Sequence, residues 1–215
     1  MNPPLEKLLQ LQRDLRTTIR KIGVSGPTSE KLPEHATIFH HILASDLHPS
    51  EKSPVRLADE AQTVIGAGLT TTAWSLTNAV FFIAGSPRIQ DTLRAELRAA
   101  IPNPNAEDAL SFQKLEKLPY LRACIQEATR FAHGLSGRGP RVFSTPMVYD
   151  KWTIPEKTAI SMTIADLHFD PEIYPEPREF VPERWLNNPK APDGSSLEKY
   201  FVAFGKGPRS CLGIK

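Results

Sequence analysis

The chain has 215 residues, enough for one or two domains, and its 40% hydrophobic and 23% charged residues exclude disorder throughout. Its 26 basic and 24 acidic side chains leave a net charge of +2, which argues against a nucleic-acid groove or a strongly acidic substrate. Two cysteines as far apart as Cys124 and Cys211 exclude a disulfide scaffold and a Cys-rich zinc ribbon, and fit a reducing compartment.

Proline sets the layout. The chain holds 20 prolines, roughly twice the usual ~5% share, and nine of them fall between Pro140 and Pro192. Residues 1–132 are therefore expected to be mostly helical, 140–162 a small β region, and 163–203 an irregular meander. Leu5, Leu8, Leu9, Leu11, Leu15 and Ile19 recur at helical spacing and predict an exposed amphipathic helix over 5–22, broken at Gly26-Pro27. A short helix over about 35–44 follows, with Pro49 and Pro54 bracketing a loop.

Between Glu60 and Arg88 there is no charged residue, a span long enough on length alone to cross a bilayer. Residues 64–84 carry two glycines and six Thr, Ser or Asn among their apolar side chains, with Gly66, Gly68 and Thr70-Thr71-Thr72 clustered at the middle. Those hydroxyls favour a central helix buried in protein over one in lipid. Residues 1–21 carry charges throughout and lack the apolar run of a signal peptide. Pro87 starts a helix over 88–100, 103–108 is a loop, and Pro119 opens a helix over 120–132 with Leu121, Cys124, Ile125 and Ala128 on its apolar face. Cys124 there reads as a small buried hydrophobe. Met147-Val148-Tyr149 and Trp152-Thr153-Ile154 predict a hairpin, 158–162 a further strand, and His168 the turn into the meander. Six histidines show no ligand spacing.

The strongest chemical signal is Phe204-Gly205-Lys206-Gly207-Pro208-Arg209-Ser210-Cys211-Leu212-Gly213. It is not a phosphate loop, because the lysine follows the first glycine directly and Pro208 removes a backbone donor. Zinc would need a second nearby Cys or His. What remains is one cysteine after a glycine-containing turn, where backbone N–H groups favour the thiolate, a nucleophile or metal ligand. Phe204 stands ready to cover its sulfur, and Arg209 to reach an anionic group of the same ligand.

The pattern Phe204, Gly207, Arg209, Cys211, Gly213 resembles the haem-binding signature of the cytochrome P-450 family of haem-thiolate monooxygenases. Glu127-Ala128-Thr129-Arg130 resembles the family's E-x-x-R motif, with both charges on one helix face. Phe180-Val181-Pro182-Glu183-Arg184-Trp185 is similar to its P-E-R-[FW] segment. Ala67-Gly68-Leu69-Thr70-Thr71-Thr72 resembles its oxygen-binding [AG]-G-x-[DE]-T-[TS] stretch, with Thr70 where the acid usually stands. Ile154-Pro155-Glu156-Lys157-Thr158 resembles an I-P-x-G-T turn with Lys157 in place of glycine. The context is most similar to fungal members.

The resemblance implies a mainly α fold: the C-terminal part of the cytochrome P-450 fold, a helical bundle with a small β-sheet and a long meander before the Cys loop at 204–213. It implies haem b with Cys211 as the axial thiolate, and a buried structural charge triad of Glu127, Arg130 and Arg184. Arg209 and Arg141 are the candidates for the haem propionates; for Arg141 a solvated surface charge is the alternative, and Arg138 competes. Gly68 is expected to let the helix pass close over the haem plane, and Thr71 to relay a proton. The missing acid at Thr70 either impairs proton delivery or is harmless, with water and Thr71 carrying the relay.

Implied partners are O₂, a small apolar substrate and an NADPH-dependent reductase. Full-length relatives are typically anchored to the endoplasmic reticulum membrane facing the cytosol. This chain is expected to lack that anchor, the helix with the W-x-x-x-R haem contact and the helix after the cysteine, and so to expose apolar faces. A truncated, non-catalytic fragment unable to enclose haem is the alternative to an enzyme.

Overall fold

The computed structural model describes residues 3–24, 35–105, 111–135 and 137–214. The expected break at Gly26-Pro27 and the second half of the 103–108 loop lie outside them. The chain divides into two compact units, Met1–Thr70 and Thr71–Lys215, with the boundary inside one long helix.

In the first unit, helix α1 (Pro3–Val24) packs against the short α2 (Ile38–Ala44), and a 3₁₀ turn at Pro49–Lys52 leads into α3 (Pro54–Gly85). Ile19 of α1 is buried, and so are Leu57, Ala58 and Ala61 of α3. The Gln12 amide donates to the Gln62 side-chain oxygen at 3.0 Å, tying α1 to α3.

The burial expected for the uncharged stretch of α3 is not what the structure shows. Its fully buried residues all precede Gln62; of the later apolar side chains Ala79, Phe82 and Ile83 pack partly buried against the core around Phe180, while others stand open, Phe81 being 70% and Leu76 60% exposed. Periodicity and composition mark a surface that wants cover, but cover is a property of what packs on it. Among the described residues no helix is long and apolar enough to cross a membrane.

The second unit contains α4 (Pro87–Ala100), one turn of α5 (Phe112–Leu115) and α6 (Pro119–Ala132). Proline occupies the first turn of both α4 and α6, where its missing N–H costs nothing. At the N-terminus of α6, the Glu96 carboxylate of α4 accepts from the backbone N–H groups of Tyr120 and Leu121, at 2.7 and 2.9 Å. Unpaired amides at a helix start carry partial positive charge, so this anion caps α6 while joining it to α4.

Helix α6 ends at His133, which takes a left-handed conformation with φ 59°. Its buried residues are Tyr120, Ala123, Cys124, Glu127, Ala128, Arg130 and Ala132. The predicted apolar face is thus corrected at Ile125, which is exposed. The true inner face is centred on a charged pair that apolar periodicity cannot register. One core cluster joins Ile89, Tyr120, Cys124, Ala128 and Phe180; a second joins Ala123, Tyr174, Trp185, Ala191 and Leu197.

The sheets are two antiparallel pairs. β2 (Met147–Tyr149) and β3 (Trp152–Ile154) form the expected hairpin, Val148 opposite Thr153. β4 (Ala159–Ile160) pairs with an unforeseen β1 (Arg141–Val142), Arg141 opposite Ile160. His168 closes a short helix, α7 (Ile164–His168), in place of a bare turn. The meander beyond carries 3₁₀ turns at Pro182–Trp185 and Leu197–Lys199.

Candidate functional site

The buried centre of the second unit is the Glu127 carboxylate, which is fully enclosed. Arg130 approaches it as a fork, Nε donating to Oε2 and Nη2 to Oε1, each at 2.9 Å. Arg184 donates from Nε to Oε1 at 3.0 Å, and the backbone N–H of Val181 reaches the same oxygen at 3.1 Å. Trp185 adds its indole N–H to Oε2 at 2.8 Å. A buried carboxylate is tolerable only when its lone pairs are met, and here donors from α6 and the meander meet both oxygens.

The guanidinium groups spend their other donors on the meander backbone. Arg130 Nη1 donates to the His168 carbonyl at 2.6 Å, and Arg184 Nη1 to that of Pro175 at 3.1 Å. Arg130 also lies over the rings of Phe131 and Tyr174, 4.6 and 5.1 Å from their centroids. The proline-rich meander is therefore ordered by one carboxylate on α6. A second, more exposed link runs from Arg88 of α4 to Glu183, which also accepts from the Tyr120 hydroxyl at 2.9 Å.

After the meander the chain enters the cysteine loop. Gly205 and Gly207 adopt φ of 68° and 77°, conformations a side chain disfavours, and they turn the chain back on itself. The Cys211 N–H donates to the Phe204 carbonyl at 2.8 Å, closing the turn, and the Ser210 N–H donates to that of Gly207 at 3.0 Å. Lys206 reaches back to the carbonyl of Lys199 at 2.8 Å. The thiol of Cys211 is exposed, with a side chain at Gly213 destined to sit 3.8 Å from its sulfur. Phe204 packs edge-on against Phe201, their centroids 6.2 Å apart, and is 37% exposed. Arg209 lies exposed on the turn Gly207–Arg209.

The two cysteines differ in kind. Cys124 is completely buried, and burial pushes its thiol up to about 12, so it is an inert packing group. Cys211 is open to a ligand. No group of three His, Cys, Asp or Glu suited to a metal ion occurs among the described residues. One exposed thiol at the tip of a hydrogen-bonded turn suits an iron held chiefly by a macrocycle, and the residues of this loop fit haem.

The remaining candidates stand on other elements. Gly68 is on α3 with open space where a Cβ would project, Thr71 is half-buried on the same helix, and Thr70 is exposed. Arg141 is exposed on β1 and donates to the carbonyls of Gly139 and Pro140, at 3.3 and 3.1 Å. Lys157, in the glycine position of the I-P-x-G-T-like turn, adopts φ 63°.

Two residues with roles in this site escape sequence reasoning. Trp185 supplies a donor to Glu127; its place beside Arg184 in the motif is the only signal. His168, with no exposed surface, accepts from the Val202 N–H at Nε2 and reaches the Arg130 carbonyl from Nδ1. Burial lowers its pKa to about 4, so the ring is neutral.

A family model described as Cytochrome P450 matches residues 31–215. A cytochrome P450 monooxygenase of Sordaria araneosa, sdnE, is 47% identical over 99% of this chain and 43% of its own length. Another from Eupenicillium brefeldianum, orf6, is 41% identical over 98% of this chain and 43% of its own. The N-acetyltryptophan 6-hydroxylase ivoC of Emericella nidulans is 35% identical over 99% of this chain and 41% of its own. The solved retinoic acid-bound cyanobacterial CYP120A1 superposes with a TM-score of 0.75 at 24% identity, covering 95% of this chain and 44% of that one. The chain thus spans less than half the length of these relatives.

Proposed function

Since the chain belongs to the cytochrome P450 family, we propose that it is the cysteine-bearing part of a haem-thiolate monooxygenase, in which Cys211 would hold the iron of haem b through its sulfur. The observation that carries this reading is the exposed Cys211 thiol, presented by a turn closed through the Phe204 carbonyl. Once bound, haem supplies reductive activation of O₂, by which one oxygen atom enters a substrate C–H bond and the other leaves as water, with two electrons and two protons consumed.

The chain's own residues bind, orient and move protons. Cys211 would hold the iron through its sulfur. Arg209 and Arg141 offer planar forks of donors to the propionates. Phe204 limits water at the sulfur, Gly207 permits the turn, and Gly213 leaves room beside the sulfur. On α3, Gly68 lets a flat ligand approach the backbone, and Thr71 holds and passes a proton at its hydroxyl. Thr70 adds a second hydroxyl where relatives carry an acid, and a hydroxyl conducts a proton without originating one at neutral pH. Electrons come from an NADPH-dependent reductase, and the substrate is a small, largely apolar organic molecule. The relative named as an N-acetyltryptophan hydroxylase supports a small organic substrate.

The test is to load the chain with haem, reduce it and add carbon monoxide. A red-shifted Soret band, lost in Cys211→Ala, is the expected result; a wild-type spectrum without it refutes thiolate ligation in this chain. A second reading, a fragment that does not enclose haem alone, is favoured by the open side chains of α3, and predicts that the wild-type chain releases haem on desalting. In a chain completed to the length of its relatives, Thr70→Asp is expected to raise product formed per electron consumed.

A further inference from the structure

The Glu127 cluster orders the meander through its hydrogen bonds, and Trp185 passes on a ring contact through Phe201 to Phe204, but a polar link from the cluster to the root of the cysteine loop needs another residue. The connection runs through His168. Its ring is fully buried, stacked on Phe201 with centroids 5.7 Å apart and rings within 11° of parallel. Both nitrogens are engaged. Val202 N–H donates to Nε2 at 3.0 Å, so Nε2 is the unprotonated nitrogen and Nδ1–H donates to the Arg130 carbonyl at 3.1 Å. Arg130 returns the contact, its Nη1 donating to the His168 carbonyl at 2.6 Å. Side chain and backbone of each residue therefore grip the other.

Val202 is where the chain leaves the packed meander. Its own carbonyl accepts from Gly205 N–H at 2.8 Å, and two residues on, the Phe204 carbonyl accepts from Cys211 N–H. The next residue, Ala203, is held from the other side. A Cβ at Gly134 would fall 2.5 Å from the Ala203 carbonyl oxygen, so the backbone after α6 lies directly against it.

We propose that His168 is a positioning residue for Cys211: by accepting the Val202 N–H while anchored to Arg130, it fixes the root of the loop and so the direction in which the thiol is presented. This rests on Cys211 being the haem ligand. Packing alone does not account for it, because a merely space-filling ring has no need of an acceptor at Nε2.

Two variants separate the nitrogens. His168→Gln keeps an acceptor at the reach of Nε2. His168→Asn keeps a donor at the reach of Nδ1 but reaches Val202 no longer. The first readout is amide hydrogen exchange at Val202 and Cys211 in the 215-residue chain without haem. His168→Asn is expected to speed both by about fivefold, the loss of one ordinary buried hydrogen bond, with His168→Gln close to wild type. The second readout is the share of thiolate-ligated haem in the ferrous carbon monoxide spectrum, expected to fall in His168→Asn and recover in His168→Gln.

The variants behaving alike overturns the proposal, whether both exchange as wild type, both exchange faster or both fail to fold. His168→Asn failing to fold where His168→Gln folds supports it. A wild-type chain with no thiolate signal refutes the haem reading instead, and the exchange rates still decide whether His168 holds the loop.

Discussion

Replacing Glu127 by Gln tests whether one carboxylate holds the second unit together. Gln has nearly the same shape, so packing is preserved while the charge and one acceptor disappear. Oε1 receives three hydrogen bonds, from Arg130, Arg184 and Val181, and Oε2 receives two, from Arg130 and Trp185. Whichever oxygen becomes an amide nitrogen then points protons at two or three donors. Two guanidinium groups, with side chains 0% and 9% exposed, lose their counter-charge. Removing one partner of such a buried cluster costs about 3–5 kcal/mol, a large part of the roughly 5–15 kcal/mol that a domain commands. Urea unfolding followed by tryptophan fluorescence is the assay, since Trp185 is buried and bonded to Glu127 while Trp74 and Trp152 are exposed. With a slope of about 2 kcal/mol per molar urea, the midpoint falls by about 2 M. Arg88→Ala is the comparison: its partner Glu183 is half-buried, but Arg88 itself is 60% exposed, so the loss is about 0–1 kcal/mol. A Glu127→Gln loss no larger than that of Arg88→Ala refutes the lock.

His168 gives a pH dependence of definite sign. Its folded pKa of about 4 lies below the ordinary 6.5, so between these values the unfolded chain binds the extra proton; stability is full above pH 6.5, falls by about 3 kcal/mol down to pH 4 and then levels off. Urea midpoints across that range read it, and a flat profile that His168→Gln leaves unchanged refutes the buried neutral ring. Lys157→Gly should stabilise by about 1 kcal/mol in thermal unfolding, because φ 63° costs a side chain energy that glycine does not incur; a destabilised variant means that the lysine holds the turn in another way. The buried Tyr174 hydroxyl has no hydrogen-bond partner among the described residues, so Tyr174→Phe should be neutral or stabilise by about 1 kcal/mol, and a loss above 1 kcal/mol in the same assay shows that the hydroxyl is bonded.

What is legible in the sequence is what local chemistry decides. Pro87 and Pro119 announce their helices because a first-turn proline sacrifices no hydrogen bond, and the hairpin of β2 and β3 follows from alternation around a two-residue turn. Short motifs mark Glu127, Arg130 and Arg184, and the structure brings both arginines within hydrogen-bond reach of the Glu127 carboxylate. What is not legible depends on approach in three dimensions. Composition says that α3 is apolar, but not that Phe82 and Ile83 pack on the core while Leu76, Val80 and Phe81 stand open. Ile125 belongs to the helical apolar pattern yet faces out, because a charged pair takes the inner face. β1 is two residues long and exists only because β4 arrives beside it. Trp185 and His168 gain their roles from a carboxylate and an amide 58 and 34 residues away in the chain, and no local pattern encodes that.

The order of these contacts bears on how a cysteine variant should be read. The contacts that fix the loop use its backbone and the side chains of Phe204 and Lys206: Val202 N–H on His168, Gly205 N–H on the Val202 carbonyl, Cys211 N–H on the Phe204 carbonyl, Lys206 on the Lys199 carbonyl and the Phe204 ring against Phe201. The Cys211 side chain is exposed and contributes to none of them. Exchanging it for alanine therefore removes the one group open to iron and leaves the supports in place, a change expected to stay within about 0.5 kcal/mol. Loss of a thiolate spectrum in Cys211→Ala then reports ligation and not collapse of the fold. The converse holds for Glu127 and His168, whose variants act on the sulfur only through the backbone that carries it.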